Sequence, residues 1–359
     1  MSERTVIPFG PQHPVLPEPI QLKLELKDET VVSALPSIGY VHRGIEKAAE
    51  KMDFTQNVFL VERVCGICSF IHGLAYCLAM EDIFGLTPPP RANYLRVIWS
   101  ELHRLHSHHL WLGLFADAFG FESLFMQFWR NREMLMDIFE KTAGSRVIIS
   151  TCAIGGTRRD ISDTHLQEIL DTLDEIQAQL DKTVPVILND YTVRKRTVGI
   201  GKLTPEQAIR LGAAGPVLRS CGISQDMRQL GYAAYPDLGF EPVVDDGGDC
   251  YARAKVRCGE CYQSVQLVRE AIRKIPDGDI VNKPKGRPKG RAISRVEQPR
   301  GELLYLVAAN GTNKLDRLRI RTPTFANVPP LVEMLPGCEL ADVPVIVLSI
   351  DPCISCTER

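Results

Sequence analysis

Two Cys-x-x-Cys pairs stand near opposite ends of this chain, and their chemistry constrains the fold more than any other feature. The first pair is Cys65 and Cys68, and the second is Cys353 and Cys356. Two thiolates spaced three residues apart can bind one soft transition metal, and two such pairs supply four sulfur ligands. To use both pairs at one metal, the fold must bring its C-terminal tail against its N-terminal quarter.

The composition is that of a protein with a large buried core. The chain has 359 residues, is 45% apolar and carries a formal net charge of −2, which suits one large or two moderate domains. A near-neutral charge gives no reason to expect nucleic acid as a partner. The polar N-terminus predicts no signal peptide, and no apolar run is long enough to cross a bilayer. We therefore expect a location on the cytoplasmic side, where the eleven cysteines stay reduced and available to metals.

Hydrophobic periodicity predicts strands near both ends of the chain and long helices between them. Apolar and polar residues alternate over 20–35, which indicates a strand pair. A capping box at Thr204 and Gln207, with proline between them, predicts the start of a helix. Other helices are predicted over 43–84, 92–118, 122–142, 164–180 and 251–274, and further strands over 292–297, 302–309 and 317–321.

This order of elements predicts an α+β fold, with a central bundle of long helices and small β-sheets from the N-terminal and C-terminal segments. We expect a single domain over 1–359, because both ends must meet at a buried metal site. Within it, 1–42 would form an N-terminal β segment, 43–280 the helical core, and 281–359 a C-terminal β segment with the ligand-bearing tail.

The spacing of the cysteines alone leaves the kind of metal site open. A structural zinc site explains the pairs as well, and a third pair, Cys258 and Cys261, prevents counting from deciding which two pairs join. That third pair lies in the middle of a predicted helix. The other two pairs are flanked by Arg63, His72 and Asp351, and such side chains can hydrogen-bond and tune metal-bound thiolates. These flanks favour a reactive centre over a structural one.

Five segments of the chain together resemble the large subunit of nickel–iron hydrogenases. Residues 63–72, RVCGICSFIH, and residues 351–359, DPCISCTER, resemble the two signature motifs of that family. Residues 10–14, GPQHP, residues 39–47, GYVHRGIEK, and residues 298–302, QPRGE, fit as well. The GPQHP and HRGIEK segments also occur in the quinone-site subunit of respiratory complex I. This combination in a short chain is similar to the energy-converting, Ech-type membrane-associated hydrogenases.

The resemblance implies a nickel–iron centre held by the four cysteines. Cys65 and Cys353 would be terminal nickel ligands, whereas Cys68 and Cys356 would also bridge to an iron that carries carbon monoxide and cyanide. The implied reaction is reversible heterolytic cleavage of H2, in which Cys353 takes the proton and electrons leave for a partner protein. Soft thiolates suit both metals, and a thiolate can act as a base as well as a ligand.

The resemblance also places four other residues around this centre. Glu18 would take the proton onward, and Arg300 would project over the open face of the metals. Asp351 and His72 would support the thiolates, with His72 donating a hydrogen bond toward Cys68. The residues by themselves leave other interpretations open: Glu18 as an exposed loop glutamate, Arg300 as a surface arginine beside a turn, and His72 as a core histidine satisfied elsewhere.

Glu46 has two interpretations. In several relatives the matching glutamate helps to bind magnesium together with a C-terminal histidine, so Glu46 is a candidate magnesium ligand. Arg359 stands here in place of that histidine, and a guanidinium cannot ligate a cation. We therefore expect an ion pair between Glu46 and Arg359 at least as readily as a metal site.

Two conspicuous groups of residues are given lesser roles. The histidines at 103, 106, 108 and 109 are poorly placed for a metal, because three of these positions drift around a helix. We expect them to pack against the cysteine-bearing helix. The basic segment 282–291 is expected to form a solvated loop or a subunit contact, and the remaining cysteines are expected to be small buried side chains.

Three functions from different classes compete. The leading one is the catalytic subunit of a hydrogenase. The alternatives are a quinone-binding coupling subunit of a complex-I-like machine, whose known members lack both cysteine pairs, and a scaffold with a four-cysteine zinc site. With no other credible electron-transfer centre in the chain, a small subunit with iron–sulfur clusters is implied. The resemblance adds ferredoxin as electron partner and integral membrane subunits that couple the reaction to ion transport, on the inner face of the cell membrane.

Overall fold

The computed structural model describes residues 4–14 and 16–359, and these residues begin with a three-stranded antiparallel sheet. Its strands are β1 (Arg4–Phe9), β2 (Gln21–Lys27) and β3 (Thr30–Ser37), in that order across the sheet. One face of β2 is buried and the other is largely exposed, as its alternating sequence predicts. The strand pair predicted over 20–35 is confirmed. β1 escaped prediction because Phe9 is its one buried residue.

The described part of the chain contains thirteen α-helices. They are α1 (Ile45–Ala49), α2 (Asn57–Glu62), α3 (Ser69–Phe84), α4 (Pro90–Asp117), α5 (Glu122–Ala143), α6 (Asp163–Asn189), α7 (Tyr191–Thr197), α8 (Pro205–Leu211), α9 (Pro216–Arg219), α10 (Cys250–Lys274), α11 (Pro323–Met334), α12 (Val343–Ser349) and α13 (Ile354–Glu358). The long helices α4, α5 and α10 match their predicted bounds within two residues. α6 passes its predicted end at residue 180 and continues through Pro185.

The capping box predicted before α8 is present in full. The backbone N–H of Gln207 donates to the Thr204 hydroxyl, and the Gln207 side chain accepts a hydrogen bond from the Thr204 backbone N–H. Two donors at the start of the helix are thereby satisfied by one pair of side chains.

The single helical stretch predicted over 43–84 is wrong, because three separate helices occupy it: α1, α2 and α3. Gly44, with a φ of 65°, begins α1. The Asn57 side chain donates to the Ala49 carbonyl across the turn between α1 and α2. The loop from α2 to α3 carries Cys65 and Cys68 in non-helical backbone. The spacing of apolar residues remains helical across 43–84. The backbone nevertheless leaves the helix twice, between α1 and α2 and in the cysteine loop between α2 and α3.

α4 is the central helix of the bundle. It packs against α5 and α10, and α6 packs against both of those helices. Nearly all of its side chains are buried, including charged ones. Arg96 forms an ion pair with Glu81 of α3 at 2.5 Å, and Arg104 of the same helix pairs with Glu101 at 3.2 Å. Because its buried charges are paired, α4 can lie at the centre of the bundle although polar and charged residues occur on all its sides.

The second half of the chain adds two small antiparallel sheets. A short hairpin of β4 (Cys152–Ala153) and β5 (Gly156–Thr157) was not predicted. The predicted strands near the C-terminus are confirmed as β6 (Lys289–Gln298), β7 (Gly301–Asn310) and β8 (Leu315–Arg321). The segment 281–359 is nevertheless only partly β, because α11, α12 and α13 occupy the rest of it. The α+β class is therefore confirmed, with a more helical C-terminal segment than expected.

The packing of these elements brings the two ends of the chain together. α3 packs against β6 and β7, and α13 packs against α11. The main apolar cluster fills the bundle and includes all four cysteines of the two terminal pairs. A second cluster lies among the N-terminal sheet, α8, α11 and α12. In the described residues, no helix combines the length and the apolar character that crossing a membrane requires.

Candidate metal centre

The four cysteines of the two terminal pairs meet at one point inside the protein. The sulfur of Cys68 lies 3.4 Å from that of Cys356, and the sulfur of Cys353 lies 3.3 Å from that of Cys65. The ligand atoms of Cys65, Cys68 and Cys356 all lie within 4.8 Å of one another. The N-terminal and C-terminal cysteine pairs therefore meet, as predicted. Each of the two close sulfur–sulfur contacts joins one cysteine of the first pair to one of the second.

This sulfur cluster has the dimensions and surroundings of a soft-metal site. All four side chains are buried and reduced. A metal with four sulfur ligands at about 2.3 Å separates neighbouring sulfurs by about 3.8 Å in a tetrahedral site, close to the separations here. Thiolate donors select nickel, iron, zinc or copper(I) over hard cations. The donor set consequently fits a nickel–iron centre and excludes a magnesium or calcium site at this position.

Local backbone structure aims the thiols at the shared point. Cys68 immediately precedes α3, and Cys353 immediately precedes α13. The partial positive charge at a helix N-terminus favours an anionic sulfur beside it. The backbone N–H of Ile67 points at the Cys65 sulfur, with an N to S distance of 3.3 Å. Asp351 adopts a φ of 54°, which turns the chain sharply just before Cys353.

The four thiols differ in acidity. Hydrogen bonding, first from the Cys353 thiol, holds the pKa of Cys65 well below its usual range. Hydrogen bonding, first from Cys356, likewise lowers the pKa of Cys353. Burial raises the pKa of Cys68 and Cys356. The two thiols with lowered pKa values thus come from opposite ends of the chain, one from each Cys-x-x-Cys pair.

Glu18 reaches the centre. Its carboxylate accepts hydrogen bonds from the Ser355 backbone N–H at 2.8 Å and from the Ser355 hydroxyl at 2.7 Å. Its Oε1 atom lies 3.9 Å from the Cys353 sulfur. Burial and the neighbouring Cys353 charge raise the pKa of Glu18 to about 7. The interpretation of Glu18 as a solvated loop residue is therefore wrong.

Arg300 and Asp351 form a buried ion pair beside the thiols. Nη2 of Arg300 lies 2.8 Å from Oδ1 of Asp351, and Nε donates to the Asp351 carbonyl at 2.9 Å. Burial opposes the charge of Arg300, but Asp351 and the cysteines raise its pKa above the ordinary value. The turn is tight because Gly301, with a φ of 128°, lies against the backbone of Gly215. Arg300 is 4% exposed, so the surface interpretation is wrong.

His72 contacts the cluster, although at a different sulfur from the one expected. Its Nε2 atom lies 3.5 Å from the sulfur of Cys356 rather than pointing at Cys68. Its Nδ1 atom lies 2.7 Å from the hydroxyl of Tyr305 on β7. His72 follows Cys68 by four residues, in the first turn of α3, and its ring faces Cys356 of the C-terminal segment. Burial lowers the pKa of His72 to about 3, so the imidazole stays neutral.

Glu46 forms the expected ion pair. Its Oε1 atom lies 3.2 Å from Nε of Arg359, and Oε2 lies 2.9 Å from Nη1 of Arg319. The backbone N–H of Ile320 also donates to Oε1 at 2.9 Å. Burial acts to raise the pKa of Glu46, but these donors hold it below its ordinary value. Cationic and backbone donors thus occupy the carboxylate oxygens that a magnesium ion would need.

A small cavity of about 310 Å³ opens beside the cluster. Polar groups on one side come from Glu18, Arg300 and Asp351, together with the Cys353 thiol. The remaining walls are mainly apolar, from Pro17, Ile67, Leu110, Leu114, Trp129, Leu348 and Pro352. The cavity thus places a carboxylate, a guanidinium and a thiol beside a mainly apolar space.

Three supporting residues were missed in the sequence. Tyr305 holds His72, Ser355 holds Glu18, and Arg43 ties the two cysteine loops together. Nη2 of Arg43 donates to the Val64 carbonyl at 2.7 Å and to the Ser355 carbonyl at 3.3 Å. Arg43 lies inside the resemblance segment 39–47, which was the available signal. The residues around Tyr305 in the sequence give no sign of its contact with His72, because that contact depends on how β7 packs in the fold.

The third cysteine pair lies away from the centre. Cys258 and Cys261 are buried in α10, and burial raises the pKa of both thiols. Among the described residues, the one group of candidate metal ligands is drawn from the terminal pairs. The remaining cysteines are buried as expected, except Cys338, which is half-buried.

Comparison with known families identifies two related groups. The profile described as respiratory-chain NADH dehydrogenase, 49 Kd subunit, matches residues 118–287 and 282–359. The profile described as nickel-dependent hydrogenase matches residues 43–114, which contain the first cysteine pair.

Individual relatives extend the similarity over the whole chain. A carbon monoxide-induced hydrogenase of Rhodospirillum rubrum is 42% identical over 356 residues, which cover 98% of this chain and 99% of the relative. The membrane-bound hydrogenase subunit alpha of Pyrococcus furiosus is 39% identical over 373 residues, which cover 98% of this chain and 87% of the relative. A chain from the solved membrane-bound sulfane sulfur reductase, an archaeal respiratory membrane complex, superposes with a TM-score of 0.94 at 32% identity. The superposition covers 99% of this chain and 98% of that chain.

Proposed function

Since this chain belongs to the family of nickel-dependent hydrogenase large subunits, which is related to the 49 kDa subunit of respiratory NADH dehydrogenase, we propose that it is the catalytic subunit of an energy-converting nickel–iron hydrogenase. Its reaction is the reversible heterolytic cleavage of H2. The single observation that carries this proposal is the convergence of four buried thiols from both ends of the chain.

The fold by itself does not select this reaction. A sulfane sulfur reductase shares the architecture with a TM-score of 0.94, and a complex I subunit profile matches much of the chain. What favours hydrogenase chemistry is the sulfur donor set, together with the carboxylate and the guanidinium beside it. A coupling subunit that binds quinone has no need of four converging thiols.

The cysteines would hold the two metals in distinct roles. Cys65 and Cys353 would bind nickel alone, and Cys68 and Cys356 would bind both nickel and the iron that carries carbon monoxide and cyanide. When bound, such a centre supplies a soft, redox-active site that polarises H2. Magnesium has no part in this proposal, because Glu46 is engaged by arginine side chains and a backbone N–H.

Side chains of this protein would accept the proton and transfer it away from the centre. The Cys353 sulfur accepts it and passes it to the Glu18 carboxylate, whose Oε1 atom is 3.9 Å away. Ser355 fixes the orientation of Glu18 through two hydrogen bonds. Arg300, held by Asp351, places a permanent positive charge at the cavity and lowers the cost of anionic sulfur. The neutral His72 supports Cys356.

Electrons must leave through another protein. We assign this role to a small subunit with iron–sulfur clusters, with ferredoxin as the electron partner. Integral membrane subunits would couple the reaction to ion movement, which places this chain on the inner face of the cell membrane. Membership of multi-subunit membrane complexes among its relatives supports this assignment.

The test is metal analysis combined with isotope exchange on the purified native complex. We expect nickel and iron near one each at this centre, infrared bands of metal-bound carbon monoxide and cyanide, and exchange between D2 and water. Cys353→Ser should abolish the exchange, whereas Cys258→Ser, a matched change of a buried cysteine outside the centre, should leave it intact. Zinc without nickel would instead support the four-cysteine scaffold, and absence of both nickel and zinc would support the coupling subunit.

A further inference from the structure

A stripe of buried polar atoms without protein partners runs along the contact between α4 and α5. On α4, both ring nitrogens of His103 and of His106, and Nε2 of His109, have no hydrogen-bond partner among the described residues. On α5 the same holds for Nδ2 of Asn131 and Nε of Arg132. All five side chains are more than nine-tenths buried. Buried polar groups are nearly always hydrogen-bonded to protein or to ordered water, so these atoms require water.

The three histidines form a continuous series rather than isolated packing groups. The rings of His103 and His106 stack with centroids 5.6 Å apart and planes 18° from parallel. Phe139 presents its ring edge-on to both of them. Nδ1 of His109 lies 2.8 Å from the Leu105 carbonyl, so this nitrogen carries the proton and Nε2 is an acceptor. His103 also packs edge-on against the cysteine-bearing helix, as the sequence predicted.

A hydrogen bond joins the helix that carries the series to the metal centre. Ser107, the residue after His106, accepts a hydrogen bond from Nη1 of Arg300 at 3.3 Å. Arg300 pairs with Asp351, whose Oδ2 atom is buried and has no partner in the described chain. Both of these residues and Glu18 line the cavity beside the cysteines. Glu18 and Arg300 therefore share one cavity, and Arg300 joins that cavity to α4 at Ser107.

Asn131, the residue of the stripe on α5 that lies beyond His109, lines a cleft. The ring of His109 lies edge-on to Phe128, with centroids 6.2 Å apart. Asn131 follows three residues later on α5, and its Oδ1 atom accepts a hydrogen bond from Gln127, which also donates to Gln179 of α6. These amides line a cleft of about 400 Å³ between α5 and α6. The stripe thus connects the centre to a polar opening.

Electrostatics keep the series uncharged at rest. Burial, followed by the positive charge of Arg132, lowers the pKa of His103 to about 3 and the pKa of His106 well below its ordinary value. Burial also lowers the pKa of His109 to about 4. Arg300 and His72 are the other groups that act on His103. A neutral imidazole offers one acceptor and one donor, which is the arrangement that proton transfer along a chain requires.

We propose that His103, His106 and His109, bridged by water, conduct protons between the metal centre and the cleft between α5 and α6. This proposal rests on the proposed function. One proton enters at the centre and one leaves at the cleft, and no charge remains on the rings. His103 and His106 accept at one nitrogen and release from the other. His109 accepts a hydrogen bond from water at Nε2 and so holds that water in the path, because its Nδ1 proton is held by the Leu105 carbonyl.

The test separates bond cleavage from proton escape. Conversion of para-H2 to ortho-H2 reports that the bond is split and re-formed at the centre, whereas D2/water exchange also requires protons to travel to solvent. In the purified complex, His106→Leu should lower the exchange rate by roughly 100-fold while para-H2 conversion and metal content persist. His106→Gln, which still binds water, should lose less. His165→Leu, the same chemical change on α6 away from the stripe, should match the unmodified complex.

Each outcome decides between the two proposals. If the unmodified complex shows neither reaction, the proposed function fails. If it shows both and His106→Leu exchanges at the unmodified rate, the proton path fails and the function stands. A readout without turnover is a high-resolution map of the complex: ordered water should lie within about 3.2 Å of the unpartnered nitrogens. Dry rings in that map would overturn the path.

Discussion

The sharpest functional prediction concerns the replacement Glu18→Gln. Glutamine has nearly the same shape as glutamate. Its oxygen can keep the hydrogen bond from the Ser355 backbone N–H, which glutamate accepts at Oε2 at 2.8 Å. Its amide N–H can donate to the Ser355 hydroxyl, which in the unmodified protein donates to Oε1 at 2.7 Å. The Cys353 sulfur, 3.9 Å from Oε1, therefore keeps its neighbour in place. What is lost is a group that can take and release a proton near neutral pH.

The size of the effect follows from that single loss. A positioned acid or base contributes roughly 10²–10⁴-fold to a reaction that moves a proton. Glu18→Gln should therefore slow D2/water exchange by about that factor, with unchanged nickel and iron content. Glu18→Asp draws the carboxylate back by about 1.5 Å, the length of one C–C bond, so we expect an intermediate rate.

The assay is D2/water exchange followed by mass spectrometry on the purified complex. Glu29→Gln is the matched control, since Glu29 is exposed at the turn between β2 and β3 and should leave the rate unchanged. A Glu18→Gln complex that retains its metals and exchanges at the unmodified rate would remove Glu18 from the proton route. Loss of the metals would instead show that Glu18 acts in building the centre.

Three stability predictions follow from buried groups. Asp351→Ala leaves Arg300 charged and unpaired, so the free energy of unfolding should fall by about 3–5 kcal/mol, measured by denaturant titration; a loss under about 1 kcal/mol would refute the pairing. Burial raises the pKa of Glu62 from 4.5 to about 7, so the folded state holds its proton more tightly and stability falls as pH rises between those values. Glu62→Gln should flatten that slope, and an unchanged slope would contradict the assignment. Gly113→Ala would place a methyl 2.5 Å from Trp129, so we expect a loss of about 1–3 kcal/mol and a lower Tm, whereas an unchanged Tm would show that the indole moves aside.

Local patterns in the sequence were sufficient for much of the fold. The alternation in β2, the capping box at Thr204 and the long period of α4 each depend on neighbours within a few residues. The stretch 43–84 was misassigned for the opposite reason. Its breaks depend on contacts made elsewhere, such as the hydrogen bond from Arg43 to the Ser355 carbonyl near the other end of the chain.

The site shows the same division. Cysteine spacing identified the ligand pairs, because thiol chemistry is carried by the residue type itself. The partner of His72 was misassigned because sequence distance from Cys68 does not reveal that Cys356 arrives on the side the ring faces. Tyr305 was missed because strand β7 brings it to His72 from more than two hundred positions away. The histidines of α4 were undervalued because unsatisfied nitrogens are visible only in the packed structure.

The central claim is that thiols from both ends of the chain bind one nickel–iron centre. X-ray absorption at the nickel edge of the purified native complex tests it most directly. We predict a nickel surrounded by sulfur with iron close by, and loss of that signal when Cys65 or Cys353 is replaced by serine. A complex without nickel, or one in which zinc fills the four-thiol site, would contradict the claim.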